Sequence, residues 1–246
     1  MRTTIVIPTY NECDNIAILI AQIFSLNIPD LSIIVVDDNS PDNTSEIIKR
    51  FSEKFPIKLI IRPKKYGLGS AYVAGFKIAL TDGADYIIQM DADLSHDPND
   101  IPRLVSALRE VDMVIGSRKI KNGKIIGWNL WRKFMSTGAM FFARLILQLK
   151  TRDITSGFRA FRRSVLEEIH LEGISAGGYA FQEEIIFRVE KLNEVKNNSK
   201  EIKILEIPVT FTDRINGKSK LSWRDIFEFF NVIIKLKYEK HPSGRT

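Results

Sequence analysis

Two short apolar runs each end in a pair of aspartates. Asp37 and Asp38 follow Ile33-Ile34-Val35-Val36, and Asp91 and Asp93 follow Tyr86-Ile87-Ile88-Gln89-Met90. A carboxylate directly after a buried strand is held rigidly at the edge where α/β sheets bind ligands. A single aspartate there can equally cap the next helix or loop. Asp91-Ala92-Asp93 differs, because alternate residues can converge on one ion. A carboxylate pair beside a diphosphate suits Mg²⁺ or Mn²⁺, hard ions that keep water and phosphate oxygens as further ligands. Such an ion stabilises a departing diphosphate as a Lewis acid. Zinc does not fit: one cysteine (Cys13) and three scattered histidines (His96, His170, His241) offer no ligand spacing.

Other residues suit phosphate chemistry. Lys65-Tyr66-Gly67-Leu68-Gly69-Ser70-Ala71 follows a strand and opens a helix. A dinucleotide fingerprint would need glycine at position 72, where Tyr72 stands, and would follow the first strand rather than the third. A dehydrogenase is therefore rejected, although the glycines still permit close backbone approach to a nucleotide. Arg118 and Arg132 flank the start of an apolar helical segment, and two planar guanidinium forks can localise a phosphate dianion.

The elements that must position these groups follow an α/β rhythm. Strands are expected at Thr4–Ile7, Ile33–Val36, Lys58–Ile61, Tyr86–Met90 and Met113–Ile115. Amphipathic segments lie between them, such as Ile16, Leu19, Ile20, Ile23 and Phe24, and Ile101, Leu104, Val105 and Leu108. Pro102 sits in a helix's first turn, where a missing N–H costs little. The alternation predicts a mostly parallel central sheet with helices on both faces. Past residue 118 the rhythm breaks into a loop (Lys119–Gly127), an apolar helix (Phe134–Leu149) and a polar turn (Thr151–Arg159). A helix (Phe181–Leu192), a late strand (Lys203–Val209) and a basic loop (Asp213–Lys220) follow. Lys196–Lys200 reads as a solvated loop and Lys240–Thr246 as a frayed tail.

The chain has 246 residues and a net charge of +6, enough for one α/β domain with a modest preference for anionic partners. A lone cysteine rules out an internal disulfide framework and fits a reducing compartment. No signal peptide and no spanning helix are expected; the apolar segment Phe134–Leu149 is interrupted by Arg144. The basic residues are dispersed rather than interleaved with aromatics in a stripe, so no nucleic-acid partner is expected.

Eight segments, in order and spacing, resemble the inverting glycosyltransferases of the GT-A (nucleotide-diphospho-sugar transferase) fold. They are Pro8-Thr9-Tyr10-Asn11-Glu12, Asp37-Asp38-Asn39-Ser40, Gly67-Leu68-Gly69, Asp91-Ala92-Asp93-Leu94-Ser95-His96, Gly116-Ser117-Arg118, Asp153-Ile154-Thr155-Ser156-Gly157-Phe158-Arg159, Gly178-Tyr179-Ala180-Phe181-Gln182-Glu183 and Arg214-Ile215-Asn216-Gly217-Lys218-Ser219-Lys220-Leu221. The last four are similar to the dolichol-phosphate mannose synthases in particular. The resemblance implies transfer of mannose from GDP-mannose to dolichyl or another polyprenyl phosphate, with inversion and with Mg²⁺ or Mn²⁺. It implies that Pro8, Tyr10, Glu12, Asp38, Lys65 and Gly69 serve the nucleotide-sugar, and that Asp91 and Asp93 handle metal and diphosphate. It further implies that Arg214 and Lys220 close over the diphosphate, and that Arg118, Arg132 and Ser136 hold the acceptor phosphate. The segment Lys121-Asn122-Gly123-Lys124 departs from a glycine pair common in that family.

The resemblance divides the chain into a catalytic domain over residues 1–221, including an acceptor-side helix near 133–149, and a C-terminal amphipathic segment over 222–246. In Ser222–Lys237 the polar residues Asp225, Glu228, Asn231 and Lys235 make one narrow stripe in an otherwise apolar helix. So wide an apolar arc predicts contact with lipid or a partner helix. Lys235, Lys237 and Lys240 would meet anionic headgroups. The expected location is peripheral, on the cytoplasmic side of a membrane, held directly or through a small anchoring subunit. Two alternatives stay open: a polyprenyl-phosphate glucosyltransferase using UDP-glucose, and a non-catalytic lipid-binding subunit. A glycan-extending transferase would need a base for a hydroxyl, and no later acidic motif clearly offers one.

Overall fold

The computed structural model describes residues 1–174, 178, 180–195, 201–213 and 223–238. The five expected strands are present as β1 (Thr3–Thr9), β2 (Leu31–Asp37), β3 (Ile57–Ile61), β4 (Tyr86–Gln89) and β5 (Met113–Ser117). Between them run α1 (Cys13–Ser25), α2 (Thr44–Ser52), α3 (Leu68–Thr81) and α4 (Ile101–Ala107). β1, β2 and β4 read as near-continuous apolar runs because both faces of the sheet are covered. Ile5 and Ile7 pack with Ile16, Leu19 and Ile101 on one face, while Val6 packs with Tyr72 and Phe76 on the other.

Among the described residues the central sheet has seven strands, ordered β3-β2-β1-β4-β7-β5-β8. Here β7 is Arg159–Arg162 and β8 is Ile204–Pro208. All pairs are parallel except those of β7, which runs antiparallel to β4 and β5. The polar turn expected over Thr151–Arg159 therefore leads straight into an unexpected strand. Register pairs Gln89 with Arg159, and Arg159 with Ile115. The start of β7 thus meets the ends of β4 and β5 at one edge.

The expected loop Lys119–Gly127 also contains a strand, β6 (Lys124–Ile126), paired in parallel with β9 (Thr210–Thr212). Neither three-residue strand is long enough to display a period. The late strand is found as β8, immediately before β9. The apolar helix is longer than expected, running as α5 (Leu130–Leu147) with the Asn129 side chain accepting from the Arg132 N–H as its N-cap. α6 (Arg163–Glu168) and α7 (Phe181–Val195) follow.

The last helix is α8 (Trp223–Tyr238). Its Val232, Ile233 and Leu236 are buried in the same core cluster as α5 and α7, so part of the wide apolar arc is protein-facing. α5 buries only Met140, Ala143 and Leu147. Leu130 (85% exposed), Trp131, Phe134 (70%), Met135, Phe141 and Leu145 face outward. No helix among the described residues is long and apolar enough to cross a membrane. Lys196–Lys200 and the tail Lys240–Thr246 lie outside the described residues.

Candidate active site

The carboxylate pair stands where the sequence places it, just past β4. The Tyr72 hydroxyl, from α3, donates to Asp91 Oδ1 at 2.5 Å. Burial, then the charges of Asp91 and Asp93, push the Tyr72 phenol well above its ordinary pKa, so it stays protonated and donating. Both carboxylates therefore bear on one phenol. Asp93 Oδ1 accepts from the Ser95 N–H at 3.1 Å, across a turn in which Leu94 takes a left-handed conformation (φ 60°). Gly157 approaches so closely that a Cβ there would lie 2.8 Å from Asp91 Oδ2. His96 Nδ1 accepts from the Asp91 N–H at 3.3 Å, and burial pushes its pKa down to about 4. The imidazole is thus neutral and fixes the backbone of the pair.

The predicted nucleotide-side residues gather at the ends of β1 and β2. Lys65 Nζ lies 4.0 Å from the Tyr10 ring centroid, a cation–π contact. Asp38 accepts from the N–H groups of Tyr66 (3.1 Å) and Gly67 (3.0 Å) and pairs with Arg62. The φ of Gly67, 99°, is one that favours glycine, and it turns the chain into α3, in whose first turn Gly69 is buried. Glu12 accepts from Asn15 Nδ2 at 2.9 Å beside the start of α1, and Pro8 sits in β1 opposite Val36. Asp37 is a structural clasp: it accepts from Thr9 Oγ1, from the Ser40 N–H and hydroxyl, and from Ser45 Oγ. Arg214 and Lys220, expected over the diphosphate, lie outside the described residues.

The two arginines expected at the acceptor phosphate are joined through aromatic rings. Arg118 lies over the Phe211 ring at 5.2 Å, and Arg132 over Trp128 at 4.1 Å. Trp128 and Phe211 meet edge to face at 5.8 Å. Both arginines are also ion-paired. Arg118 Nε and Nη2 form a bidentate bond to Asp153 at 2.8 and 2.7 Å, and its side chain is only 8% exposed. Arg132 Nη1 donates to Asp213 Oδ2 at 2.8 Å. Burial alone would raise the Asp153 carboxyl, but the Arg118 charge and hydrogen bonds hold it below the usual range. Ser136 lies one helical turn beyond Arg132 and is half-buried.

Comparison with known proteins decides the family. Residues 4–170 match glycosyl transferase family 2. The chain belongs to that family.

This family 2 transferase is 39% identical over 223 residues to an undecaprenyl-phosphate mannosyltransferase from Micrococcus luteus, covering 90% of this chain and 88% of the relative. It is 37% identical to a polyprenol monophosphomannose synthase from Mycolicibacterium smegmatis, covering 92% and 83%. A dolichol-phosphate mannosyltransferase from Pyrococcus furiosus is 40% identical over 96% of this chain, which spans 64% of that relative's length. The resemblance read from the motifs is borne out, and the chain is a glycosyltransferase. Glucosyl-3-phosphoglycerate synthase from Mycobacterium tuberculosis, solved with Mn²⁺, UDP and phosphoglyceric acid, superposes with a TM-score of 0.70 at 17% identity, over 96% of this chain and 78% of that one. That likeness shows the fold, and the expected GT-A architecture is borne out with it.

Several residues of the transferase site escaped the sequence reading. Asp153 and Glu183 lay in recognised segments but carried no assigned task. Asp153 is the counter-ion of Arg118. Glu183, at the start of α7, is buried, and its Oε2 has no hydrogen-bond partner among the described residues. Burial pushes its pKa up to about 8, opposed by the Arg159 charge. Arg159 is fully buried and donates to the Gln182 and Ile154 carbonyls at 2.9 and 2.8 Å. The visible signal was the polar stretch Gln182-Glu183-Glu184 set between Phe181 and Ile185-Ile186. Among the described residues no three His, Cys, Asp or Glu side chains cluster to hold a metal.

Proposed function

We propose that the chain transfers mannose from GDP-mannose to a polyprenyl phosphate, such as dolichyl phosphate, with inversion at the anomeric carbon. The observation that carries this reading is 37–40% identity to three polyprenyl-linked mannose transferases over at least 90% of the chain. The site's layout supports it. Carboxylates stand at the end of β4, nucleotide-side groups at the ends of β1 and β2, and a cation–aromatic ladder runs from Arg118 through Phe211 and Trp128 to Arg132 on α5.

Asp91 and Asp93 would hold a divalent cation, Mg²⁺ or Mn²⁺. The donor set fits: both are hard oxygen donors, and the glycine at 157 leaves room beside Asp91 Oδ2 that a Cβ would fill. The ion would supply charge neutralisation to the departing diphosphate. Tyr72 would keep one Asp91 oxygen oriented. Tyr10, Lys65 and the Asp38-held loop would position the nucleoside, with Pro8, Glu12 and Gly69, while Arg214 and Lys220 would close over the diphosphate.

An acceptor phosphate is already ionised near neutral pH, so no general base is required. Its oxygen attacks the anomeric carbon as the bond to the nucleoside diphosphate breaks. GDP leaves with the electron pair, and the new bond joins sugar to phosphate on the opposite face. Arg118 and Arg132, with Ser136, hold that phosphate in line, so catalysis rests on positioning and charge.

The protein attaches peripherally to a membrane, on its cytoplasmic side; the exposed leucines and aromatics of α5, beside this acceptor site, support the membrane contact. The test is transfer of labelled mannose from GDP-mannose to citronellyl phosphate, run against UDP-glucose and with EDTA. Lipid labelling from GDP-mannose alone, abolished by EDTA, is expected. Labelling from UDP-glucose instead would replace the sugar assignment.

A further inference from the structure

Resting on the acceptor reading above, we infer that Lys119 is a further acceptor-binding residue, supplying a positive charge, not taken up in an ion pair, that holds the prenyl-linked phosphate between the end of β5 and α5. The charge balance points to it. Arg118 spends two of its nitrogens on Asp153, and Arg132 one on Asp213. Each guanidinium is thus largely neutralised by its own carboxylate. A phosphate dianion needs net positive potential as well as hydrogen-bond donors.

Lys119 follows Arg118 directly and is half-buried, yet among the described residues no carboxylate lies within ion-pair distance of it. Its Nζ donates to Thr137 Oγ1 on α5 at 2.9 Å. Thr137 neighbours Ser136, so the ammonium sits against the helix that carries the proposed phosphate hydroxyl and the exposed apolar face. Lys133, on the same helix, is close enough to repel it. Burial lowers the Lys119 pKa; the Asp153 charge opposes it, and the charges of Arg118 and Lys133 add to the lowering. Two ammonium groups held near one another, beside the Thr137 hydroxyl and an apolar helix face, fit one ligand chemistry: a phosphate monoester with a hydrocarbon tail. A lysine suits this place because an ammonium acts as a point charge that swings from the Thr137 hydroxyl to a phosphate oxygen without a fixed fork.

The test is direct binding, followed by the fluorescence of Trp128 and Trp131, with citronellyl phosphate, citronellol and inorganic phosphate as probes in the absence of any bilayer. Lys119→Gln is expected to raise the Kd for citronellyl phosphate about tenfold while leaving citronellol and GDP binding unchanged. Lys119→Arg, which keeps the charge, stays close to wild type. Thr137→Val, which removes the tether but not the ammonium, also stays close. An unchanged Kd in Lys119→Gln overturns the assignment, as does equal weakening of citronellol, which would mark a structural lysine. Binding of inorganic phosphate as tight as citronellyl phosphate would reduce the site to a general anion site and overturn it too. If the wild type binds citronellyl phosphate no better than citronellol, the acceptor reading itself falls. If the wild type discriminates and Lys119→Gln does so equally, only the lysine's part falls.

Discussion

The Tyr72 hydroxyl donates to Asp91 Oδ1 at 2.5 Å, tying the middle of α3 to the carboxylate at the end of β4. One oxygen of Asp91 is thereby fixed, and the other lies beside Gly157. Tyr72→Phe should lower kcat by about ten- to a hundredfold, since it removes an orienting hydrogen bond to a charged group worth roughly 1.5–3 kcal/mol. The aromatic stack of Tyr72 on Phe181, with centroids 5.6 Å apart, is kept, so thermal stability should change far less than activity. Steady-state kinetics beside a melting curve separates the two; equal kcat in both proteins would deny Tyr72 its positioning task.

Arg118 and Asp153 form a buried, bidentate ion pair. Asp153→Ala leaves an uncompensated guanidinium in the interior and should cost about 3–5 kcal/mol of stability. Urea unfolding measures it. The double variant Arg118→Met/Asp153→Leu should recover much of that loss while remaining inactive, because the guanidinium donors proposed for the acceptor phosphate are gone.

Glu183 makes stability depend on pH in a set direction. Its folded pKa is about 8, raised by burial above the ordinary 4.5. The folded state therefore binds the proton more tightly than the unfolded state. The resulting stability is complete below pH 4.5 and is lost as pH rises through about 8. Glu183→Gln should flatten the decline in melting temperature over that window. His96, pushed the other way to about 4, contributes a loss of stability as pH falls from 6.5 towards 4, and that limb should persist in the Glu183 variant.

The exposed apolar face of α5 predicts membrane binding that can be removed without unfolding. Leu130, Trp131 and Phe134 are solvent-facing, so Leu130→Ser/Trp131→Ser/Phe134→Ser should keep the melting temperature near wild type. Each of these side chains contributes up to about 1.5–3 kcal/mol when buried in an apolar phase. Sedimentation with anionic vesicles should recover the wild type in the pellet and the triple variant in the supernatant. Equal partition of both would move the contact elsewhere.

Much of this architecture was legible in the sequence. The buried strands β1, β2, β4 and β5 are apolar runs, and Asp37-Asp38 and Asp91-Ala92-Asp93 stand at the ends of β2 and β4. What was not legible came from pairing across long separations. β7 was missed because Arg159-Ala160-Phe161-Arg162 places two arginines at the ends of a four-residue strand, so it shows neither alternation nor an apolar run. Tyr72 entered only as the residue that spoils a glycine fingerprint; that it reaches Asp91 depends on how α3 lies across the sheet. Arg118 read as an open phosphate ligand because its counter-ion, Asp153, is 35 residues away in sequence. A lipid-contacting surface was expected on α8; among its described side chains Val232, Ile233 and Leu236 pack into the core while Phe230, Ile234 and Tyr238 stay exposed, and α5 adds an exposed apolar face that its sequence, with Arg144 in its midst, did not single out.

The central claim is that the nucleophile is a lipid phosphate, already charged, and that no residue need act as its base. Its most direct test is transfer of labelled mannose from GDP-mannose to citronellyl phosphate and, in parallel, to citronellol, with the product's anomeric configuration read by NMR. The account predicts product from the phosphate alone, with the configuration inverted. Transfer to the alcohol, or a retained configuration, would contradict it.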